Sequence, residues 1–166
     1  MTGQFITIPK NGFSIFIGSR DFLTGILANI GERFRSGSLL YIHNTAELPY
    51  QESLSTVHHR IEFRQECNII DIIAMLETNP SRFVIIEYSP DWFIHNDEYI
   101  GPFGLVCRER SRRRQEVLLI AKYVDSCISE LETMADKVVY VQDILTSSER
   151  CIPLMGKKTG QQPLFC

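Results

Sequence analysis

The chain has 166 residues, enough for one domain with a sizeable core, and its 44% hydrophobic and 22% charged residues are ordinary for a soluble globular protein. The net charge of −3 gives no general attraction to nucleic acid, so any such binding must come from a local patch. No apolar run approaches the roughly 20 residues of a membrane span, and the start of the chain lacks the pattern of a signal peptide. The five cysteines form no C-x-x-C pair, which favours free thiols in a reducing compartment over a disulfide framework.

The first half of the chain alternates strand and helix patterns. Short apolar runs predict strands, and apolar residues at helical spacing predict helices. Gly37 is expected to end the first helix, and Asn79 with Pro80 the second. The predicted elements, in chain order, are a strand over 13–17, a helix from Leu23 to Gly37, strands over 39–42 and 60–63, and a helix over 69–76.

The second half continues this alternation with longer elements. Residues 83–87 read as a buried strand that ends in an acid. Prolines and glycines over 88–104 predict a long irregular loop. Apolar residues at helical spacing over 117–131 predict a long helix, and 138–141 predict a last buried strand.

The order of these elements predicts the fold class. We expect a single α/β domain over residues 1–146, with a mostly parallel central sheet flanked by helices on both faces. The polar composition of residues 147–166 predicts a flexible tail. Ligands of such sheets bind at the carboxyl ends of the strands, which here are marked by Gly18, Glu87 and Gln142.

The segment after the first strand stands where a phosphate-binding loop would lie. Such a loop needs glycines, a lysine for the phosphates and a hydroxyl for Mg²⁺. Gly18 and Thr24 stand near the expected positions, but the segment has no lysine and Arg20 is its only cation. We expect Asp21 to cap the helix that follows, so that a negative charge fills the place of a phosphate. The sequence therefore predicts a degenerate phosphate loop, with no bound cofactor.

The strand that ends at Glu87 resembles the Walker B strand of nucleotide-binding ATPases, with glutamate where aspartate is usual. Downstream, Arg114 and Gln115 are expected to open the long helix, and Gln142 follows the last strand. This spacing resembles the ATPase core of the RecA-like recombinases, which include the eukaryotic strand-exchange proteins and their paralogues. In that family the glutamine matched by Gln142 senses the nucleotide and leads into a DNA-binding loop.

The resemblance covers most of residues 12–146, by order of elements more than by identity. The chain departs from the family at the missing lysine, at the missing catalytic glutamate after the second strand, and at Val141, where asparagine is usual. The resemblance therefore implies a RecA-like domain without ATPase activity. It also implies assembly with another RecA-like paralogue subunit or a recombinase filament.

One dense cationic run is a candidate nucleic-acid site. Arginines at this density can neutralise several phosphates, and in the resembled family this region is the first DNA-facing loop. The alternative is a solvated helix start whose arginines pair with Glu109, Glu116 or the acids of a partner. The run consists of Arg108, Arg110, Arg112, Arg113 and Arg114.

Three aromatic residues are candidate partner contacts. Phe5 lies in an alternating segment that either pairs within its own sheet or adds to the sheet of a partner, as the phenylalanine linker of the recombinases does. Trp92 and Phe93 lie side by side in the predicted loop, a composition common in binding hot spots. The four histidines lack the spacing of zinc ligands, so no metal site is predicted.

The resemblance to the recombinases implies a non-catalytic, nuclear subunit of a heteromeric complex that assists homologous recombination and DNA repair. It would bind a recombinase filament, single-stranded DNA or both, and would not contact a membrane. One alternative is an Elongator-type RecA-like accessory subunit in tRNA modification. Another is a divergent nucleotide-binding ATPase that uses Arg20 in place of lysine and Glu87 for Mg²⁺.

Overall fold

Short apolar segments rich in β-branched and aromatic residues form the central strands of one parallel sheet. The computed structural model describes residues 10–33, 37–45, 61–141 and 161–163. Two 3₁₀ turns, Pro90–Phe93 and Asp97–Tyr99, lead from the fourth strand into the third helix. The remaining elements are β1 Phe13–Ile17, α1 Arg20–Arg33, β2 Leu39–His43, β3 Ile61–Gln65, α2 Ile69–Thr78, β4 Phe83–Glu87, α3 Ile100–Arg112, β5 Glu116–Ala121, α4 Ser126–Glu132, β6 Lys137–Tyr140 and β7 Gln161–Pro163.

The seven strands are ordered β3-β2-β4-β5-β1-β6-β7 across the sheet, and each neighbouring pair is parallel. β1, the first of the described strands, therefore lies inside the sheet, with Phe13 opposite Val117 of β5 and Ser14 opposite Lys137 of β6. β4 pairs with the other side of β5, where Glu87 lies opposite Ile120. This order brings the carboxyl ends of β2, β4, β5 and β1 to one edge of the sheet.

Helices cover both faces of the sheet and bury the central strands completely. One face packs against α1, in a core that includes Phe16, Leu27 and Ile85. The other face packs against α2, α3 and α4, in a core that includes Ile72 and Phe103. Burial on both faces explains why these strands are continuously apolar and do not alternate with polar residues. The predicted α/β class and parallel sheet are confirmed.

The prediction of a long helix over 117–131 was wrong. The first half of that segment is β5, which is buried between β4 and β1, and only the second half is helical, as α4. The side chain of Asp125 begins α4 by accepting a hydrogen bond from the backbone N–H of Ile128 at 2.8 Å. A continuously apolar run fits either element, because periodicity does not separate a buried strand from a buried helix.

The prediction of an irregular loop over 88–104 was also wrong in its second part. α3 begins at Ile100 and carries Pro102 in its first turn, where proline leaves no helical hydrogen bond unmade. Arg114 and Gln115 then lie in the turn between α3 and β5, and Arg114 has a positive φ of 62°. They do not open a helix, so one of the features on which the RecA resemblance was based is absent.

The other predicted elements match the structure to within a few residues at their ends. They correspond to β1, α1, β2, β3, α2, β4 and β6. Within 147–166 only β7 is described, and it pairs with β6. The predictions on Phe5 and Gln142 concern residues outside the described ranges.

Candidate functional site

The connection between β1 and α1 is only two residues long, Gly18 and Ser19. The Gly18 N–H donates to the carbonyl oxygen of Ala121 in β5 at 3.0 Å, which fixes the turn to the neighbouring strand. A Cβ at Gly18 would lie 2.9 Å from Cδ1 of Phe22 and 3.1 Å from Cβ of Val141. Phe22 therefore packs directly over this turn, where a phosphate-binding loop would leave space.

The cap of α1 is Ser19, and the prediction that Asp21 fills this role was wrong. Ser19 Oγ accepts from the Phe22 N–H at 3.3 Å, whereas Asp21 is exposed in the first turn, where its charge still favours the helix dipole. The Thr24 hydroxyl donates to the carbonyl oxygen of Arg20 at 2.8 Å, within its own helix. The hydroxyl expected to face Mg²⁺ therefore makes a local contact.

Glu87 ends β4 on the face that α1 covers, and Tyr41 of β2 lies on the same face. The Tyr41 hydroxyl donates to Glu87 Oε2 at 2.9 Å. Burial raises the pKa of Glu87 above its ordinary value, against the opposing effects of the Tyr41 hydrogen bond and of the charges of His43, Lys122 and Arg20. A half-buried acid with a raised pKa beside a cavity is a candidate functional group.

A cavity of about 180 Å³ opens beside Glu87, at the carboxyl ends of β2, β4 and β5. β1 leads into α1 on one face and β5 leads into α4 on the other, so the topological switch point of the sheet lies between β5 and β1. The cavity lies next to that point, because Leu23 of α1 and the residues after β5 help to line it. Both apolar and polar side chains line the cavity. Its lining residues are Leu23, Asn44, Thr45, Glu87, Tyr88, Ser89, Pro90, Ile120, Ala121, Lys122 and Tyr123.

Hydrogen bonds hold the loops around the cavity. The Asn44 side-chain amide donates to Ser89 Oγ at 3.0 Å and so joins the loops after β2 and β4. The Tyr88 hydroxyl donates to Asp125 Oδ2 at 2.6 Å and joins the loops after β4 and β5. Burial, and then the neighbouring Asp125, raise the pKa of Tyr88 well above its ordinary value, so it stays a neutral donor.

The structure divides the arginine run into two groups. Arg108, Arg112, Arg113 and Arg114 are exposed, and none of them forms an ion pair with another described residue. They extend along α3 to the turn before β5, so the last three lie at the amino edge of the sheet, opposite the cavity.

Arg110 is buried, contrary to its predicted place among the nucleic-acid contacts. Only 3% of its surface is exposed, and its guanidinium donates to the carbonyl oxygens of Leu76 at 2.6 Å and Ser81 at 2.5 Å. It thereby supplies a donor to a carbonyl group in the last turn of α2, which has no partner within the helix, and it is not available to a ligand in this fold.

Trp92 and Phe93 are also buried, so their prediction as exposed partner contacts was wrong. They are 1% and 4% exposed and belong to the core beneath α2 and α3. The Trp92 indole N–H donates to the carbonyl oxygen of Glu66 at 2.9 Å, and Phe93 packs edge-on against Phe103. The first 3₁₀ turn directs both rings inward, which sequence spacing alone did not indicate.

Two residues that line the cavity, Asn44 and Lys122, were missed, as was Tyr41, whose hydroxyl binds Glu87. Asn44 follows the strand predicted over 39–42 by two residues, close to the signal that identified Glu87. Lys122 was placed inside the helix predicted over 117–131, and only the structure puts it directly after β5. Tyr41 was hidden inside an apolar strand.

No model of a known protein family matches the chain, and no curated protein shows significant sequence similarity to it. Across the described ranges, no helix has the length and hydropathy needed to cross a bilayer. Those same ranges hold no cluster of three or more histidine, cysteine or acidic side chains placed to bind a metal ion.

Proposed function

We propose that the chain is a non-catalytic RecA-like subunit of a DNA recombination or repair complex, and that its exposed arginine cluster binds single-stranded DNA. The arginine cluster consists of Arg108, Arg112, Arg113 and Arg114. The observation that carries the proposal is that these four cations are exposed and make no ion pair with the other described residues. Exposed, uncompensated arginines are the side chains best suited to phosphate oxygens.

The helix itself accounts for only part of this charge. Arg108 and Arg112 are four residues apart on α3 and share one of its faces. A cation in the last turn stabilises a helix by about 0.3–1 kcal/mol through the helix dipole, and this effect explains the positive charge of Arg112 without a ligand. Arg113 and Arg114 lie beyond the last helical residue, where this effect has largely ended, and their charge favours a role in binding.

Arg82 extends the cationic surface along the amino edge of the sheet. It is exposed and precedes β4, and its carbonyl oxygen accepts from the N–H of Glu116 at 2.8 Å. It therefore lies beside the turn that carries Arg113 and Arg114. A row of cations of this kind fits an extended polyanion better than a single phosphate.

The geometry of the β1–α1 connection supports the non-catalytic part of the proposal. A two-residue turn covered by Phe22 offers few backbone N–H groups to a triphosphate, and the hydroxyl of Thr24 bonds within its own helix. We expect no stimulation of ATP hydrolysis by Mg²⁺ or by DNA. Turnover that is lost in a Glu87→Gln variant would contradict this part.

The DNA-binding part is tested by anisotropy of a labelled oligothymidylate over a series of salt concentrations. The variant is Arg112→Ala/Arg113→Ala/Arg114→Asn, with asparagine at the position of positive φ because it tolerates that conformation better than alanine. We expect affinity at low salt to fall by about tenfold or more, and the slope of log K against log salt to fall by about 2, at roughly 0.7 for each lost phosphate contact.

The matched control is Arg64→Ala in β3. Arg64 is exposed too, but it is already paired with Glu62 at 3.4 Å and Glu66 at 3.6 Å, so its removal should leave DNA affinity nearly unchanged. An unchanged salt slope in the triple variant, with its circular dichroism intact, would reject the arginine cluster as the DNA site. Equal losses of DNA affinity in the triple variant and in Arg64→Ala would mean that binding depends on the net charge of the protein and not on the arginine cluster.

A further inference from the structure

The cavity at the carboxyl edge holds two opposite charges that do not meet. Glu87 ends β4 opposite Ile120 of β5, and Lys122 lies two residues after Ile120. Both residues line the cavity, and the charge of Lys122 lowers the pKa of Glu87, yet the two side chains form no ion pair with each other. An acid and an amine that face one space without closing on each other leave room for a molecule between them.

The rest of the lining restricts what that molecule can be. Leu23, Ile120 and Ala121 provide an apolar wall, and Asn44 and Ser89 provide hydrogen-bonding groups at the rim. The volume of about 180 Å³ is equivalent to roughly six water molecules at about 30 Å³ each. It is smaller than the roughly 300–1,000 Å³ of sites for drug-sized ligands, so the site suits a metabolite of about ten non-hydrogen atoms rather than a nucleotide.

We propose that this cavity binds a free α-amino acid with an apolar side chain. The α-ammonium group would pair with Glu87, the α-carboxylate with Lys122, and the side chain would lie against Leu23 and Ile120. A zwitterion matches both charges at once. A simple amine leaves the exposed Lys122 unmatched, and a simple acid leaves the half-buried, partly desolvated Glu87 unmatched.

The surrounding charges agree with this orientation. Among the described residues that line the cavity, Glu87 is the only acid and Lys122 the only cation. A ligand therefore gains from presenting its carboxylate towards Lys122 and its only cation towards Glu87. The Tyr41 hydroxyl donates to Glu87 Oε2, so Oε1 does not take part in that hydrogen bond.

The test uses isothermal titration calorimetry on the full chain with L-leucine and two analogues that each lack one charge. Here 4-methylpentanoate keeps the carboxylate and loses the amine, and 3-methylbutylamine keeps the amine and loses the carboxylate. L-leucine is expected to bind at least about tenfold more tightly than either analogue, since tenfold corresponds to 1.4 kcal/mol for a lost charge pair. The affinities of L-valine and L-alanine, measured in the same way, show how much of the ligand side chain contacts the apolar wall.

Two variants assign the charges. Glu87→Gln keeps an acceptor for Tyr41 and should reduce affinity for L-leucine while leaving affinity for 4-methylpentanoate unchanged. Lys122→Met should reduce affinity for L-leucine and for 4-methylpentanoate while leaving affinity for 3-methylbutylamine unchanged. Lys10→Met, at the opposite edge of the sheet and exposed, serves as the control and should bind as the parent does.

The proposal is overturned if none of the amino acids gives heat at high protein concentration, or if leucine and its two analogues bind equally well. It is also overturned if the two variants lose affinity for all three ligands to the same extent. DNA binding by the arginine cluster is measured separately and does not depend on these results.

Discussion

Arg110 offers the sharpest test of the packing described above, because its two hydrogen bonds are made by one buried cation. In an Arg110→Met variant the stem of the side chain is largely kept, but the carbonyl oxygens of Leu76 and Ser81 lose their donors. Each buried acceptor left without a partner costs about 1–3 kcal/mol, and the loss is partly offset because the buried charge is also removed. We expect the free energy of unfolding to fall by about 3 kcal/mol.

The measurement is urea unfolding followed by circular dichroism. With a slope near 2 kcal/mol per molar urea, the expected change lowers the midpoint by about 1.5 M. Arg108→Met in the same helix is the control, because Arg108 is exposed and its replacement should change stability by no more than about 0.5 kcal/mol. Equal midpoints for the two variants would refute the assignment of Arg110 as a structural residue.

Two further outcomes follow from the packing of α3 and from the burial of Glu87. A Cβ at Gly104 would overlap Met134 Sδ and lie 3.1 Å from Leu131 Cδ2. The end of the Met134 side chain can shift and alanine favours the helix, so Gly104→Ala should destabilise the fold by no more than about 1 kcal/mol. Gly101→Ala in the same helix meets nothing within 4 Å and should be neutral or slightly stabilising, so its urea midpoint should lie above that of Gly104→Ala. Because the native pKa of Glu87 is raised above 4.5, the native state holds its proton more tightly and loses stability as the pH rises from 4.5 through the native pKa. Glu87→Gln removes this loss, so the stability of the variant relative to the parent should increase between pH 4 and pH 7, and a constant difference would contradict the burial argument.

The class of the fold and the strands β1, β2, β4 and β6 could be predicted from the sequence because short apolar runs mark them. The segment from Glu116 to Leu131 could not be divided correctly, because a strand buried on both faces and a helix buried on one present similar apolar patterns at this length. Arg114, with its positive φ, marks the break between α3 and β5, and a turn of this kind has no strong signature when its residue is not glycine or asparagine.

The site was predicted in part. Glu87 could be identified because an acid that ends an apolar strand of a parallel sheet must lie at the ligand-binding edge. The burial of Arg110 among exposed arginines could not be predicted from the sequence. It depends on a contact between α3 and the end of α2, which joins residues that are 34 apart in the chain. The same reason applies to Trp92, whose burial depends on contact with Glu66 across a loop.

The position of β1 between β5 and β6 has a consequence for synthesis of the chain. The two strands that flank it, β5 and β6, include Val117 and Val138 and leave the ribosome roughly a hundred residues later, so β1 is made long before either of these neighbours. Folds with such distant strand pairings form slowly, and their apolar segments stay exposed and prone to aggregation until folding is complete. A nascent chain of this protein therefore needs protection until its last third has emerged.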